Sequence, residues 1–314
     1  MNKKALITGG AGALGSSLVS MFINKGYEVH VYDIIQQNRA WRLADISDVV
    51  KYHWKSIHDM TAKDFSDVDI VAHAAAQPDR PLGLTSPVYT MEMNVMGLIH
   101  VLEACKHTNI KSFIFPGSGT TFTGVPEQEL PVTEESIPRP TNPYSASKYM
   151  AEVLCHTYRR CYEVPTVILR SGLVYGAGMR LDISIAQFII KALTDVPIVV
   201  RSPRATRTPT HVEDVMKYWE AVIDAEPEKV VGNIFHSVFG KEYTIEDIAR
   251  TVVKVVGQGV VVPGEFEAGE MINGKPVREW TTSTKDKYLG VHPEIDLEQG
   301  IHKTIPYIKE FLGI

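Results

Sequence analysis

Short apolar runs, bounded by glycine and polar residues, recur through the first half of the chain. Residues 3–8, 28–32, 69–73, 112–115 and 165–170 read as buried strands, with a shorter one over 51–54. Helical spacing fills the gaps. One helix is predicted from about Ser16 to Lys25. A longer one opens at Ser86-Pro87, where Met91, Val95, Leu98, Leu102 and Cys105 fall at intervals of four, three, four and three and predict a buried stripe. Asn142 and Pro143 read as the cap and first residue of a further helix. Residues 125–143 hold five prolines and no apolar period, so a surface connection is expected there. This alternation predicts an α/β fold, a doubly wound parallel sheet of Rossmann type. After about residue 175 the rhythm changes, with helix candidates at 182–194, 212–225, 244–256 and 296–312 among short strands. The expected organisation is a dinucleotide-binding domain over 1–175 and a smaller C-terminal α/β substrate lobe over 176–314, with some chain crossing back to the sheet.

Composition narrows the class. With 44% hydrophobic and 22% charged residues in 314, the chain suits a soluble protein with a large core. A net charge of -5 gives no electrostatic case for nucleic acid or an anionic membrane. No apolar run reaches membrane-spanning length, and the first residues run straight into a strand with no room for a signal peptide, so a cytoplasmic location is expected. Cys105, Cys155 and Cys161 form no CxxC pair and read as buried free thiols. The eleven histidines show no paired-ligand spacing, and no metal site is expected.

The first strand opens onto Gly9-Gly10-Ala11-Gly12-Ala13-Leu14-Gly15, followed by a helix and a strand closing on Asp33. Gly10, Gly12 and Gly15 hold the G-x-G-x-x-G positions in the strand–loop–helix–strand context that a dinucleotide site requires. The helix N-terminus offers N–H groups to phosphates. Asp33 stands where a carboxylate accepts hydrogen bonds from an adenosine ribose. A glycine-rich loop alone is often only a turn, but both strands and the acid in register predict an NAD site built from Gly9, Gly12, Ala13, Leu14, Gly15, Asp33 and Ile34. No Arg or Lys follows Asp33 before Arg39, so NAD is expected over NADP. Ala74, Ala75 and Ala76 would let a flat ligand lie on the backbone at a strand end, although tight packing explains small residues too. Asn94 is either a satisfied core residue or a bridge between cofactor-side loops.

Tyr144-Ser145-Ala146-Ser147-Lys148 begins the helix capped by Asn142. Tyr144 and Lys148 lie one turn apart on one face. An ammonium beside a phenol favours the phenolate and suits the tyrosine to general-base work. The same spacing also occurs on ordinary solvated helices, so the assignment rests on its company. Ser118, Thr120 and Thr121 follow a strand end, where hydroxyls can point into a ligand crevice. Arg201, Arg204 and Arg207 form the only local basic cluster, open to phosphate binding or to a role as a solvated loop.

With these residues located, the chain resembles an extended short-chain dehydrogenase/reductase of the NAD-dependent epimerase/dehydratase branch, like the UDP-glucose and UDP-glucuronate 4-epimerases. The landmarks are Thr8 to Gly15, His73-Ala74-Ala75-Ala76-Gln77, Asn94 before Gly97-Leu98, Tyr144 to Lys148, Leu169-Arg170, Val174-Tyr175-Gly176, Arg207 with His211 to Val215, and Leu289-Gly290. The resemblance implies that Tyr144 exchanges a proton with a sugar hydroxyl, that Lys148 also holds the nicotinamide ribose, and that Ser118 hydrogen-bonds the reacting oxygen. It brings Gln77, Thr120, Leu173, Arg180, Arg207 and Arg278 to the substrate, the last two at positions that meet a diphosphate. It implies a homodimer through helices at roughly 87–106 and 143–162. Some positions depart from the pattern. Leu173 replaces an asparagine common in nucleotide-sugar enzymes, Ser56-Ile57 stands for an Asp-Ile pair that contacts adenine, Pro116-Gly117 replaces two serines, and Phe122 replaces a tyrosine.

The leading expectation is an NAD-dependent nucleotide-sugar epimerase, inverting C4 of a UDP-sugar through a 4-keto intermediate. Family dehydratases carry an Asp-Glu pair and decarboxylases a Glu after the catalytic hydroxyl, whereas Gly119-Thr120-Thr121 follows Ser118 here. UDP-glucuronate epimerases, which the stretch from Tyr175 resembles, carry an arginine near Arg180, and a guanidinium can grip a carboxylate through two parallel hydrogen bonds; the resemblance therefore suggests a uronate, the alternative being a surface arginine before a helix. The rivals are a reductase or dehydrogenase of a smaller alcohol or ketone, favoured by Leu173, and a catalytically silent NAD-binding regulator.

Overall fold

A computed structural model describes residues 3–264, 271–272 and 275–314. The chain divides into two compact units. The first comprises Met1–Ser118, Pro140–Leu169 and Trp219–Phe235; the second comprises Gly119–Arg139, Arg170–Tyr218 and His236–Ile314. The change of rhythm near residue 175 therefore falls close to one crossing, and residues 219–235 return to the first unit.

The strands are β1 (Lys4–Thr8), β2 (Glu28–Asp33), β3 (Lys51–Trp54), β4 (Ile70–His73), β5 (Ser112–Ser118) and β6 (Thr166–Ser171), with Ile234–Ser237 joining last. Their order is Ile234–Ser237, β6, β5, β4, β1, β2, β3. β1 pairs in parallel with both β2 and β4, so the order reverses at β1, and the carboxyl ends of β1 and β4 flank the crevice where such sheets bind ligands. The inner strands are apolar on both faces, as in β1, where Ala5, Leu6 and Ile7 have no exposure, whereas the edge strand β3 is polar and partly exposed.

Helix α1 (Ala13–Asn24) leans on this sheet through Leu18, Val19 and Phe22. The segment predicted as one helix from Ser86 is more varied. A short α2 (Arg80–Thr85) precedes it, and then α3 (Pro87–Met91), a π-helical turn at Glu92–Met96 and α4 (Gly97–Cys105) run on. The wider turn leaves Met91 only half-buried, while Val95, Leu98, Leu102 and Cys105 keep the predicted core face. Helix α5 (Pro143–Tyr162) follows, with Cys155 buried but Cys161 exposed in its last turn, which corrects the expectation of three buried thiols.

The second unit is built on the helices Ser184–Leu193, Ile245–Val256 and Leu297–Leu312, close to the predicted spans. Their facing sides supply Ile185, Ile189, Ile248, Val252, Ile301 and Ile308 to a separate core. Thr244 and Asp296 each cap a helix through a reciprocal capping box, as their positions suggested. No helix among the described residues is long and apolar enough to cross a membrane.

The β1–α1 turn is the tightest joint of the first unit. Gly9 has φ of +68°, and a Cβ there would stand 2.6 Å from the Ala75 backbone. A Cβ on Gly15 would overlap the Gly9 carbonyl oxygen. Gly15→Ala is therefore expected to lower unfolding stability by about 1–3 kcal/mol, as overpacking of a closed site does. Denaturant titration checks it, and an unchanged midpoint would contradict this reading of the turn.

Candidate active site

At the amino end of α1 the N-cap is Gly12, which has no side chain to cap the helix, and the first turn carries no acidic residue. The free N–H groups and the positive dipole end thus face outward for an anion. A Cβ on Gly12 would meet only the Gly9 carbonyl, at 3.1 Å, so the space beyond is open to a ligand. Ala13 and Leu14 continue the turn, half-buried. Asp33, 8% exposed, closes the cradle: its Oδ2 accepts from the Ala11 N–H at 2.9 Å and its Oδ1 from the Ile35 N–H at 2.9 Å. Each oxygen keeps a lone pair for a ribose hydroxyl. A dinucleotide with two phosphates and an adenosine ribose fits this donor and acceptor set.

Across the switch point, Ala74 donates to the Thr8 carbonyl at 3.0 Å and Ala75 to the Thr8 hydroxyl at 3.3 Å, while Ala76 is exposed. The Thr8 hydroxyl also meets His73 Nδ1 at 2.9 Å. His73 is buried against Phe113 and Phe115. Burial, reinforced by nearby Lys148, pulls its pKa down to about 3, so the ring is neutral.

Asn94 resolves in favour of a bridge. The π-helical turn carries it inward, where its Oδ1 accepts the Gln77 N–H at 2.7 Å. Its Nδ2 donates to the Gln77 carbonyl at 3.0 Å and to Ser147 Oγ at 2.9 Å. Ser147 Oγ donates in turn to the Tyr144 carbonyl at 2.7 Å. One carboxamide thereby fixes the loop after β4 to the first turn of α5. Gln77 is 5% exposed, and its Nε2 donates to the Asp79 carbonyl at 2.8 Å. Its Oε1 is buried without a hydrogen-bond partner, which is an acceptor awaiting a donor.

Helix α5 starts as predicted. Asn142 Oδ1 accepts the Ser145 N–H at 2.9 Å, Ser145 Oγ accepts the Asn142 N–H at 3.2 Å, and Pro143 occupies the first turn. Gly83 of α2 lies so close that a Cβ there would stand 3.2 Å from Tyr144 Cβ. Tyr144 is half-buried, and Lys148, one turn on, is 5% exposed. Lys148 Nζ lies 4.2 Å from the centre of the Phe115 ring. Burial pushes its pKa down to about 8, against the pull of Glu152. Ser118, buried, ends β5 in the same unit.

Ser56 and Ile57 are otherwise engaged. Ser56 Oγ accepts the His58 N–H at 3.2 Å, and Ile57 is 4% exposed within the core, against Gly97. Ile34, by contrast, is 60% exposed beside Asp33.

In the second unit the expected substrate residues are surrounded by carboxylates. Arg278 meets Glu242 through Nε at 2.9 Å and Nη2 at 2.6 Å, and Glu127 through Nη1 at 2.6 Å. Arg180 is gripped by Asp182 through two nitrogens. Arg207 is buried, 3.8 Å from Glu279 and donating to the Thr206 carbonyl, whereas Arg201 and Arg204 are exposed, so the basic run is not one cluster. Leu173 packs on the apolar core of this unit, and Thr120 is half-buried. Among the described residues no group of three or more His, Cys, Asp or Glu is placed to hold a metal ion.

The family model of the NAD dependent epimerase/dehydratase family matches residues 5–236. The chain belongs to that family. NAD is accordingly its cofactor, in keeping with the cradle from Gly9 to Gly15 and Asp33. A putative UDP-glucose 4-epimerase of Methanocaldococcus jannaschii is 31% identical over 97% of this chain and 98% of its own length. Among solved structures, UDP-glucose 4-epimerase of Thermotoga maritima with UDP-glucose superposes with a TM-score of 0.87 at 26% identity, covering 99% of this chain and 100% of that one. UDP-glucuronic acid 4-epimerase of Bacillus cereus, in complex with UDP-glucuronic acid and NAD, gives 0.87 and 26% over 98% and 99%.

The buried lysine makes a pH prediction for this family member. Lys148 is charged below about 8 and loses its proton above, so a catalytic role for its charge beside Tyr144 predicts a loss of rate as pH rises through that value. Because the folded value lies below the unfolded 10.5, the stability cost of the buried charge is full below about 8 and fades towards 10.5. The rate profile is expected to fall on its alkaline side near 8, and Lys148→Arg, whose charge persists, to shift that fall upward. A wild-type profile flat across about pH 7 to 10 would contradict the assignment.

Proposed function

We propose that the protein is a nucleotide-sugar epimerase that inverts C4 of a UDP-sugar through a 4-keto intermediate. The observation that carries this reading is that Tyr144 and buried Lys148 stand on one helix turn while Ser118 is followed by Gly119-Thr120-Thr121, with no carboxylate for elimination or decarboxylation. Tyr144 takes the proton of the 4-hydroxyl and later returns it to the ketone oxygen. Ser118 hydrogen-bonds that oxygen in both forms. Lys148 holds the phenolate and the nicotinamide ribose, and Gln77 Oε1 accepts from a sugar hydroxyl. Bound NAD supplies a site that holds one hydride and returns it within the turnover. The relatives named above support the assignment, since each bears the name of a 4-epimerase.

Arg180 bears on which sugar is turned over. Its fork is engaged by Asp182, so a uronate carboxylate would have to compete with a resident one; this favours a neutral hexose over a uronate. A dehydrogenase or reductase of a smaller alcohol keeps one observation in its favour. Arg278 is held by Glu242 and Glu127 while half-buried Leu173 packs against the apolar core, which leaves less provision for a diphosphate.

Absorbance at the NADH wavelength separates the two. An epimerase interconverts sugars while it stays flat; stoichiometric NADH accumulation favours the dehydrogenase. In either case Tyr144→Phe is expected to lower turnover by about 10²–10⁴-fold with NAD affinity unchanged. Full activity in that variant would overturn the assignment of Tyr144 as the acid–base group, and a wild-type chain that binds NAD but turns over no sugar, alcohol or ketone would leave the regulator.

The same reading includes a homodimer through α3, the π-helical turn, α4 and α5, whose exposed side chains include Val88 at 76%, Met96 at 47%, Met150 at 47% and Val153 at 48%. Light scattering is expected to give twice 34.9 kDa. Val88→Asp combined with Val153→Asp should shift the mass to the monomer, and a wild-type monomer at micromolar concentration would refute the dimer.

A further inference from the structure

The chain that follows Ser118 lies against residues 276–284 of the same unit. Val132 donates to the Trp280 carbonyl at 2.9 Å and accepts from the Thr282 N–H at 2.9 Å, so the two stretches run side by side. They also wall a cavity of about 640 Å³, with Thr123, Val125 and Glu127 on one side and Pro276, Val277 and Arg278 on the other. Two ties flank this ladder. One is the Arg278–Glu127 ion pair, whose side chains are 29% and 65% exposed, and exposed pairs hold little. The other is Glu134, only 6% exposed. Its Oε1 accepts from the His236 N–H at 3.1 Å and from Ser283 Oγ at 2.8 Å; its Oε2 accepts from the Thr284 N–H at 3.0 Å and from Thr284 Oγ1 at 2.8 Å. Two donors on each oxygen use the acceptor capacity of a carboxylate, so Glu134 is fixed in place and has none to spare for a ligand. The tie reaches further through His236, whose Nδ1 donates to the Thr282 carbonyl at 2.8 Å and whose Nε2 lies 3.4 Å from Arg170 Nη1. The ring so held stands edge-on to Phe122, 5.8 Å between centres, with the Arg170 guanidinium 5.0 Å from the Phe122 ring centre. Phe122 ends the short helical turn Gly119–Phe122, which carries Thr120.

We propose that Glu134 is a positioning residue for turnover of the sugar nucleotide: it holds the turn that carries Thr120 and the cavity wall that carries Arg278 in one arrangement, without touching substrate itself. The hydrogen bonds make the demand specific to a carboxylate. Each oxygen receives a backbone N–H, from His236 on one side and Thr284 on the other, so a carboxamide in either orientation sets its NH2 against a donor. With that tie released, the cavity keeps its residues but loses their spacing. The inference rests on the reading of the protein as a nucleotide-sugar enzyme.

The test uses the full chain with NAD bound and UDP-glucose as substrate. Glu134→Gln is expected to raise KM by about 10-fold or more and to change kcat far less, the behaviour of a protein whose binding-competent form has become a minor one. Amide hydrogen exchange should quicken in residues 119–139 and 276–284, while NAD affinity, measured by calorimetry, stays at the wild-type value. Thr284→Val removes one donor to the same carboxylate from the facing stretch and should raise KM in the same direction; Thr284→Ser, which keeps the hydroxyl, should restore it. An unchanged KM in both Glu134→Gln and Thr284→Val overturns the proposal and leaves the nucleotide-sugar reading standing. Parallel loss of NAD and substrate affinity overturns it too, as a general disturbance of the fold. Should Glu134→Gln fail to fold, the Thr284 pair decides alone, and equal KM for Thr284→Val and Thr284→Ser overturns the proposal. A wild-type chain that binds NAD but neither binds nor converts UDP-glucose removes the nucleotide-sugar reading, and this inference with it.

Discussion

Keeping an ammonium inside the protein is the constraint on which the start of α5 depends. Lys148 is almost wholly shielded from water, and a buried cation is tolerated only where its surroundings answer its charge. The Phe115 ring offers a π face, Glu152 an opposing charge, and His73 stays neutral. A protonated His73 would add a like charge nearby, so its burial among Phe113 and Phe115 serves the lysine as much as the core. Lys148 can be placed this way only because α5 is held at a fixed register, and that register comes from the Asn142 cap and from Asn94 acting through Ser147.

Much of this could be read from the amino-acid order because local chemistry and fold agree. The apolar runs of β1, β2 and β4 need two covered faces, and the glycine turn after β1 needs close approach to Ala75 and Gly9; each has one structural solution. The caps Asn142, Thr244 and Asp296 carry their own hydrogen-bond logic. Asn94 could be narrowed to two roles but not decided, since a π-helical turn leaves no mark in apolar spacing. For the same reason the spacing makes Met91 a core position, whereas the wider turn leaves it half-buried. Cys161 looks like Cys155 in composition, yet six positions along a helix turn it to the other side.

Charge compensation in the second unit was the least legible feature. Arg278 and Glu242 are 36 residues apart, and Glu127 lies 151 residues from Arg278. No local pattern pairs them, so the arginine reads from sequence as an unclaimed phosphate ligand. Within the fold it is a partly exposed tie between irregular segments, and its guanidinium is already engaged through three nitrogens. Arg180 and Asp182 show the opposite case, a pair only two residues apart in which the carboxylate occupies the fork that a uronate would need.

The π-helical turn at Glu92–Met96 also constrains how this chain can vary in length. An α-helix advances about 100° per residue, so removing one residue from the turn would rotate everything on one side of it relative to the other. Either Asn94 would leave Gln77 and Ser147, or Leu98, Leu102 and Cys105 would leave the core. The turn thus behaves as an extra residue that has become obligatory: substitutions around it can be absorbed one at a time, whereas a single deletion breaks either the hydrogen-bonded clamp or the hydrophobic face.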